Sequence, residues 1–409
     1  MTTIMVKRRQ ERHKRLNKRR NNDRVSGNIL LLVGCAMMPM MFLMHRLFGS
    51  AHQLTNTASS LLFDDTAPTR KIVITTNPIV STRSPKKYPV VDCTQQLATR
   101  NQTDSGDPNS GMSESPKRYT KTDPAFWISL HKEYFDKLRW ASIMVKGIYY
   151  ETGITDQFEQ ILKGKPSGLV IDIGMNIGWF SLLAGAHGHI VAAFEPNPIM
   201  HTRVCESLVL NHWDSSDGSS SVVQIFPYGL GRESATLNLT MGNNPGSSSF
   251  HEDRLAKKVR RSIAVPVTTL DDVAQQEGWL SVSSNNNNNQ QIVPIHLMKV
   301  DVEGFEPHVF GGAQQLLTSG RIDNIIMEHS ITDLVESTDL MVTIAQAGYQ
   351  LNVLSTVKGE AYHPEMLPRI NKALETASVG MKPEDISEDL NFLAKVTSNL
   401  WWTKKKRLA

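Results

Sequence analysis

The chain alternates between stretches with no apolar rhythm and stretches with a strong one, and this alternation predicts its organisation. Residues 25–44, VSGNILLLVGCAMMPMMFLM, run without a formal charge. At about 1.5 Å per residue they make a helix about 30 Å long, the thickness of a hydrocarbon core. Gly34 and Pro39 weaken a soluble helix but are tolerated in lipid. From residue 50 to 123 the chain is rich in Ser, Thr, Asn and Pro, with only short apolar runs such as Ile72-Val73-Ile74. That composition predicts a disordered stem without a core. Order is expected from Asp123-Pro124 onward, with helical spacing through Phe126, Ile128, Leu130, Phe135, Leu138 and Ile143.

Short apolar strands then alternate with helices. Strands are predicted at 168–173, 189–194, 222–226, 296–300 and 322–327, and helices at 179–186, 199–210, 270–277 and 307–317. Strands that are apolar at consecutive positions, with helices between them, imply an α/β fold whose mostly parallel sheet is covered on both faces. Asn285–Asn289 reads as a surface insertion. The segment from Tyr362 is helical in tone and ends in Trp401-Trp402, expected to be packing residues, and a basic KKKR tail.

Charge sharpens this division. Residues 1–24 hold ten Lys/Arg and two acids, a net charge of +8 in a chain whose total is +4, so the remainder is mildly acidic. Positive charge confined to a tail excludes a nucleic-acid-binding body. Cations upstream of the apolar run predict a cytoplasmic N-terminus and a translocated body. The expected order is a basic tail (1–24), a transmembrane signal anchor (25–45), a stem (46–123) and a catalytic domain (124–409). The localisation that follows is a single-pass membrane protein with its body in the lumen of the Golgi or endoplasmic reticulum. A cleaved signal peptide ending near Gly49-Ser50-Ala51 and a mitochondrial presequence are the alternatives. Asn101-Gln102-Thr103 and Asn238-Leu239-Thr240 are glycosylation sequons that agree with a lumenal body. Three cysteines cannot build a disulfide framework; Cys93 and Cys205 either pair or stay as free thiols.

The strongest local signal is Leu169-Val-Ile-Asp-Ile-Gly-Met-Asn-Ile-Gly-Trp-Phe-Ser181, a buried strand running through a glycine turn into a helix. Gly174 permits the sharp turn and a close approach of ligand to backbone. Asn176 stands where a dinucleotide fingerprint needs its second glycine, and Gly178 comes one residue early, which argues against a pyrophosphate. Asp172 adds a negative charge suited to a cationic ligand. The next strand ends in Glu195-Pro196, 23 residues after Asp172, and an acid there can accept hydrogen bonds from both ribose hydroxyls. A nucleoside without phosphates and with a cationic centre fits S-adenosylmethionine.

These residues resemble the FkbM family of S-adenosylmethionine-dependent methyltransferases over about residues 165–335. The motifs that carry the resemblance are Asp172-Ile-Gly-Met-Asn-Ile-Gly-Trp-Phe-Ser, Phe194-Glu195-Pro196, Asn244-Pro-Gly-Ser-Ser-Ser249, Val267-Thr-Thr-Leu-Asp-Asp272 and Lys299-Val-Asp-Val-Glu-Gly-Phe-Glu306. Glu328 fits the same pattern. The resemblance implies a Rossmann-like class I methyltransferase fold with a seven-stranded sheet, S-adenosyl-L-methionine as cofactor, and O-methylation of a hydroxyl-bearing acceptor such as a glycan. The membrane anchor and stem lie outside it.

Methyl transfer to a hydroxyl needs alignment and a base. His329 or Asp301 is expected as the base, with Glu303 and Glu306 gripping substrate hydroxyls or orienting the loop. Glu306 has the alternative of a charge at a helix start ahead of Pro307, and His329 that of a surface loop histidine. Glu328 and Ser248 are assigned to the acceptor. Asp172, Gly174, Asn176, Gly178 and Glu195 are assigned to the cofactor, with Tyr228 and Gly229 near the adenine. No metal is assigned, although Asp301, Glu303 and Glu328 offer a carboxylate group for Mg²⁺. The competing readings are a methyltransferase facing another organelle, acting on a lipid, small molecule or protein side chain, and a degenerate fold kept as a binding module.

Overall fold

The computed structural model describes residues 87–405 except 101–114, 133–136, 150, 215–220, 243–245, 247, 251–260, 281–292, 330–332, 354–363 and 396–397. All of these lie in one compact unit spanning 71–409. The predicted anchor at 25–45 and the sequon at Asn101 fall outside the described residues. Among the described residues no helix is long and apolar enough to cross a membrane.

The strands are β1 (Lys117–Tyr119), β2 (Trp127–Ser129), β3 (Leu169–Ile173), β4 (Ile190–Phe194), β5 (Val223–Phe226), β6 (Gly229–Leu230), β7 (Ala235–Met241), β8 (Ser248–Ser249), β9 (Arg261–Thr268), β10 (Ile295–Val300), β11 (Asn324–His329), β12 (Tyr349–Val353) and β13 (Ser398–Lys404). Seven of them form the main sheet in the order β12-β13-β11-β10-β3-β4-β5. β5, β4, β3, β10 and β11 pair in parallel, whereas β13 runs antiparallel between β11 and β12. The sheet is therefore mixed, with one reversed strand. A second sheet, β6-β9-β7-β8, stands beside it, and β1 pairs with β2.

The five strands read from sequence are found within two residues of their expected ends. Their apolar runs are continuous because both faces are covered. Alternate residues on β3 feed opposite cores, Leu169, Ile171 and Ile173 on one side and Val170 on the other. The helices are α1 (Cys93–Arg100), α2 (Lys137–Trp140), α3 (Thr152–Leu162), α4 (Trp179–Ala186), α5 (Pro198–Leu210), α6 (Leu270–Gln276), α7 (Glu306–Gly311), α8 (Gln314–Thr318), α9 (Leu334–Gln346), α10 (Leu367–Thr376) and α11 (Glu388–Lys395). α5 starts where Asn197 accepts from the Ile199 N–H at 3.2 Å and Pro198 occupies the first turn.

Several expectations need correction. The helix expected at 307–317 is broken into α7 and α8 at Gly312, whose hypothetical Cβ would lie 1.9 Å from the Gly231 carbonyl oxygen. The stretch 126–143 is not one helix: its first apolar residues form β2, and α2 continues as a π-helical turn over Ala141–Lys146. Trp401 and Trp402 sit on a strand rather than a helix, and Trp402 is fully buried. Part of the expected stem is ordered. α1 is joined to α5 by the Cys93–Cys205 disulfide, and the Val91 N–H donates to the Ile225 carbonyl on the edge strand β5. Ser115 and Ser129 donate to Glu206, which also pairs with the buried Arg203 at 2.8 Å. Side chains of 87–100 and 115–129 thus complete the body, which composition alone did not reveal.

Candidate active site

The strand order reverses between β3 and β10, and a cleft opens at the C-terminal ends of these strands, where open α/β sheets bind ligands. The turn after β3 forms its floor. Gly174 has φ of +80°, and a Cβ there would lie 1.8 Å from the Asp301 carbonyl oxygen, so only glycine lets β3 and β10 close together. Asn176 also has a positive φ, +56°. Its backbone N–H donates to Glu195 Oε2 at 2.9 Å, and its side-chain amide donates to the Gly246 carbonyl at 3.1 Å.

Glu195 ends β4. Its other oxygen accepts from the Asn197 N–H at 2.8 Å, so two backbone amides orient the carboxylate. Burial pushes its pKa up to about 7 despite those two bonds. A carboxylate has about four acceptor sites, so two remain for a pair of hydroxyls. Tyr228 and Gly229 line the same wall, and Tyr228 is braced edge-on by Tyr88 at 5.9 Å. Ser248 reaches the cleft from β8 and accepts from Asn197 Nδ2 at 3.2 Å.

The other wall is charged. Asp301 Oδ2 accepts from the buried Lys299 Nζ at 2.9 Å and is hydrogen-bonded to Glu328. Burial is the largest influence on both and would raise Asp301 and lower Lys299; the Lys299 charge, hydrogen bonds from Glu328 and Lys299 and the Arg139 charge together outweigh it on Asp301, and Asp301, Asp172 and Glu151 together outweigh it on Lys299, so Asp301 is lowered and Lys299 raised. Burial and the Asp301 charge together raise Glu328 far above the carboxylate range. Asp301 is the ionised partner and Glu328 the protonated one. Glu303, at φ of +54°, and Arg139 and Glu151 complete this wall.

Other assigned residues lie elsewhere. Asp172 sits beneath the cleft, 1% exposed, because strand alternation turns it toward α4, where Ser181 Oγ donates to it at 2.6 Å. Burial raises its pKa. Gly178 has φ of +83° at the start of α4 and packs against Val204, which makes it a conformational residue. Glu306 is fully buried and accepts from the Val302 and Gly304 N–H groups at 3.2 and 3.1 Å, so it orients the loop and does not reach the cleft. His329 is neither a cleft base nor a surface histidine. It follows Glu328 on β11, so the pleat turns it to the opposite face, where it is 1% exposed and its Nε2 lies 2.5 Å from Ser337 Oγ. Among the described residues no group of three or more carboxylate, histidine or cysteine side chains, Asp301, Glu303 and Glu328 included, is placed to hold a metal ion.

The sequence reading missed Lys299, Arg139 and Glu151. Lys299 was visible as the one formal charge in the buried run Ile295-His-Leu-Met-Lys-Val300. Arg139 and Glu151 give no signal in the sequence: the first lies in the stretch 126–143, where β2 and a π-helical turn replace a regular helical period, and the second in 144–167, which carries no predicted element.

Comparison with known proteins adds one finding to this geometry. Residues 172–351 match the FkbM methyltransferase domain. The match supports a methyltransferase and covers every motif from Asp172 to Glu328, but not Arg139 and Glu151. No curated protein matches the chain. Among solved structures, a protein of Anabaena variabilis provisionally assigned as a methyltransferase of an antibiotic biosynthesis pathway is similar at 10% identity, covering 62% of this chain and 98% of its own, with a TM-score of 0.25. That score is too low to carry an argument. Within the matched residues, Val267-Thr-Thr-Leu-Asp-Asp272 has a structural use. Thr269 caps α6 through the Asp272 N–H at 3.0 Å, and Asp271 accepts from the Gln315 and Leu316 N–H groups at 2.8 and 2.9 Å.

Proposed function

We propose that the protein is an S-adenosylmethionine-dependent O-methyltransferase acting on a hydroxyl of a glycan or other carbohydrate-bearing acceptor. The observation that carries the cofactor is Glu195, held by the Asn176 and Asn197 amides at the end of β4 with acceptor capacity left for a ribose diol. The turn beside it departs from the phosphate-binding glycine pattern, which suits a nucleoside without phosphates. The carboxylates around the cleft favour a cation.

When bound, the cofactor supplies a methyl group on a sulfonium that is already a good leaving group. The task left to the chain is alignment, which is worth about 7–11 kcal/mol when reacting atoms are well placed. Gly174, Gly229 and Glu195 would hold the nucleoside, while protonated Glu328, as a donor, and ionised Asp301, as an acceptor, would grip acceptor hydroxyls. Several carboxylates on one wall suit a polyhydroxylated acceptor.

A lumenal body is part of the same proposal. The Cys93–Cys205 disulfide agrees with an oxidising compartment. Asn238, in one of the sequons, is exposed on β7. The basic tail ahead of residues 25–45 gives the matching orientation for a signal anchor.

The test is transfer of label from methyl-labelled S-adenosylmethionine by the full chain in detergent, with a detergent extract of source membranes as acceptor. Label that leaves with enzymatically released glycans is the expected result. Label retained in polypeptide, lipid or small molecules would contradict the glycan acceptor and keep methyl transfer; no label would contradict both.

A further inference from the structure

We infer that Glu151 takes the proton of the acceptor hydroxyl, an assignment that rests on the methyl-transfer reading and adds a residue outside the matched domain. The other carboxylates around the cleft are already engaged. Both Glu195 oxygens are engaged by backbone amides. Asp301 is tied to Lys299 and Glu328, which makes it a weak base, and Glu328 holds a proton of its own. Glu306 is buried beneath its loop.

Glu151 differs from these. It stands immediately before α3 and lines the cleft, yet its side chain makes no capping hydrogen bond to its own helix. No hydrogen bond to its carboxylate is found among the described residues. The charged groups facing it are Asp301, Lys299, Arg139 and Glu303. Arg139 is itself positioned by its Nε–H bond to Tyr149 Oη at 3.0 Å, and Tyr149 is stacked on Trp179 at 5.2 Å. Burial and the neighbouring Asp301 charge raise Glu151 to about 7, while Lys299 and Arg139 oppose them. A base of that strength is ionised often enough near neutral pH and still pulls on a hydroxyl proton.

In the step, the acceptor oxygen bonds to the methyl carbon, the carbon–sulfur bond breaks with its electron pair remaining on sulfur, the hydroxyl proton passes to Glu151, and water later removes it.

The test compares wild-type full chain with Glu151→Gln, Glu151→Asp and Glu303→Gln. Calorimetry with S-adenosylhomocysteine should give the same affinity for wild type and Glu151→Gln, which also reports that the variant is folded. An acid–base difference titration of wild type against Glu151→Gln, without any cofactor, should show a proton with its midpoint near pH 7. Label transfer into the membrane extract should fall about 10²–10⁴-fold in kcat for Glu151→Gln, with loss of the acidic limb of the pH profile and partial recovery in Glu151→Asp. An unchanged rate and profile in Glu151→Gln, a difference proton at the ordinary carboxylate pH, or a larger loss from Glu303→Gln would overturn the assignment. Absence of label with wild type would instead remove the methyl-transfer reading beneath it.

Discussion

Asp301 and Glu328, near the ends of two neighbouring parallel strands, are joined by a hydrogen bond, and their surroundings drive their acidities in opposite directions. Lys299 explains the asymmetry. Its ammonium is 2.9 Å from Asp301, so the charge settles on that carboxylate and the proton on Glu328. Asp301→Asn should therefore leave the buried Lys299 without its nearest counter-charge, with Asp172 and Glu151 the acids that remain around it, and cost about 3 kcal/mol. Glu328→Gln keeps a neutral donor and should cost under about 1 kcal/mol. Urea unfolding at pH 7 separates the two; equal losses would contradict the assignment of proton and charge.

Gly174 and Gly188 provide a matched pair, since both have positive φ, +80° and +87°. Beside Gly174 the Asp301 carbonyl blocks a side chain, whereas nothing lies within 4 Å of a Cβ at Gly188. Gly188→Ala should cost only the backbone term, about 1–2 kcal/mol. Gly174→Ala should cost clearly more and abolish binding of S-adenosylhomocysteine. Thermal denaturation and calorimetry check both.

Glu306 makes stability depend on pH. Its folded pKa is about 7 against an ordinary 4.5, raised by burial. Between those values the folded state holds a proton that the unfolded chain releases, so the contribution is complete below about pH 4.5 and is lost as pH rises through about 7. Glu306→Gln keeps an acceptor for the Val302 and Gly304 amides and removes this slope. Denaturant unfolding at pH 5 and pH 8 should show wild type losing about 1–3 kcal/mol more than the variant.

Cys93 and Cys205 are 112 residues apart, and their disulfide ties α1 to α5. Reduction, or Cys93→Ser, should lower stability by about 2–4 kcal/mol and open the segment around α1 to proteolysis. A reductant-independent Tm and digestion pattern would contradict a structural role for the bond.

The parallel sheet and its turn were legible because burial on both faces writes itself as unbroken apolar runs, and because Gly174, Asn176 and Glu195 need their own identities. The Glu195 wall of the cleft was legible in the same way, with Asp172 and Gly178 lying beneath it. The charged wall was much less legible. A strand's pleat decides whether Glu328 or His329 faces the cleft, and sequence order gives no phase until the pairing with β10 and β13 is known. Arg139 and Glu151 arrive from chain that precedes β3, where a π-helical turn and a short strand replace the regular period the pattern suggested. Residues 87–100 resembled linker because their order comes from a disulfide and from contacts with α5 and β5, not from an apolar stripe of their own.

If the Glu195 end of the sheet binds S-adenosylmethionine, titration calorimetry of the full chain in detergent, beside Glu195→Ala, will show it. Saturable binding by the wild type is expected, weakened at least about tenfold by the substitution, the value of roughly one lost charge-assisted hydrogen bond to a ribose hydroxyl. No binding, or binding that Glu195→Ala leaves unchanged, would contradict it.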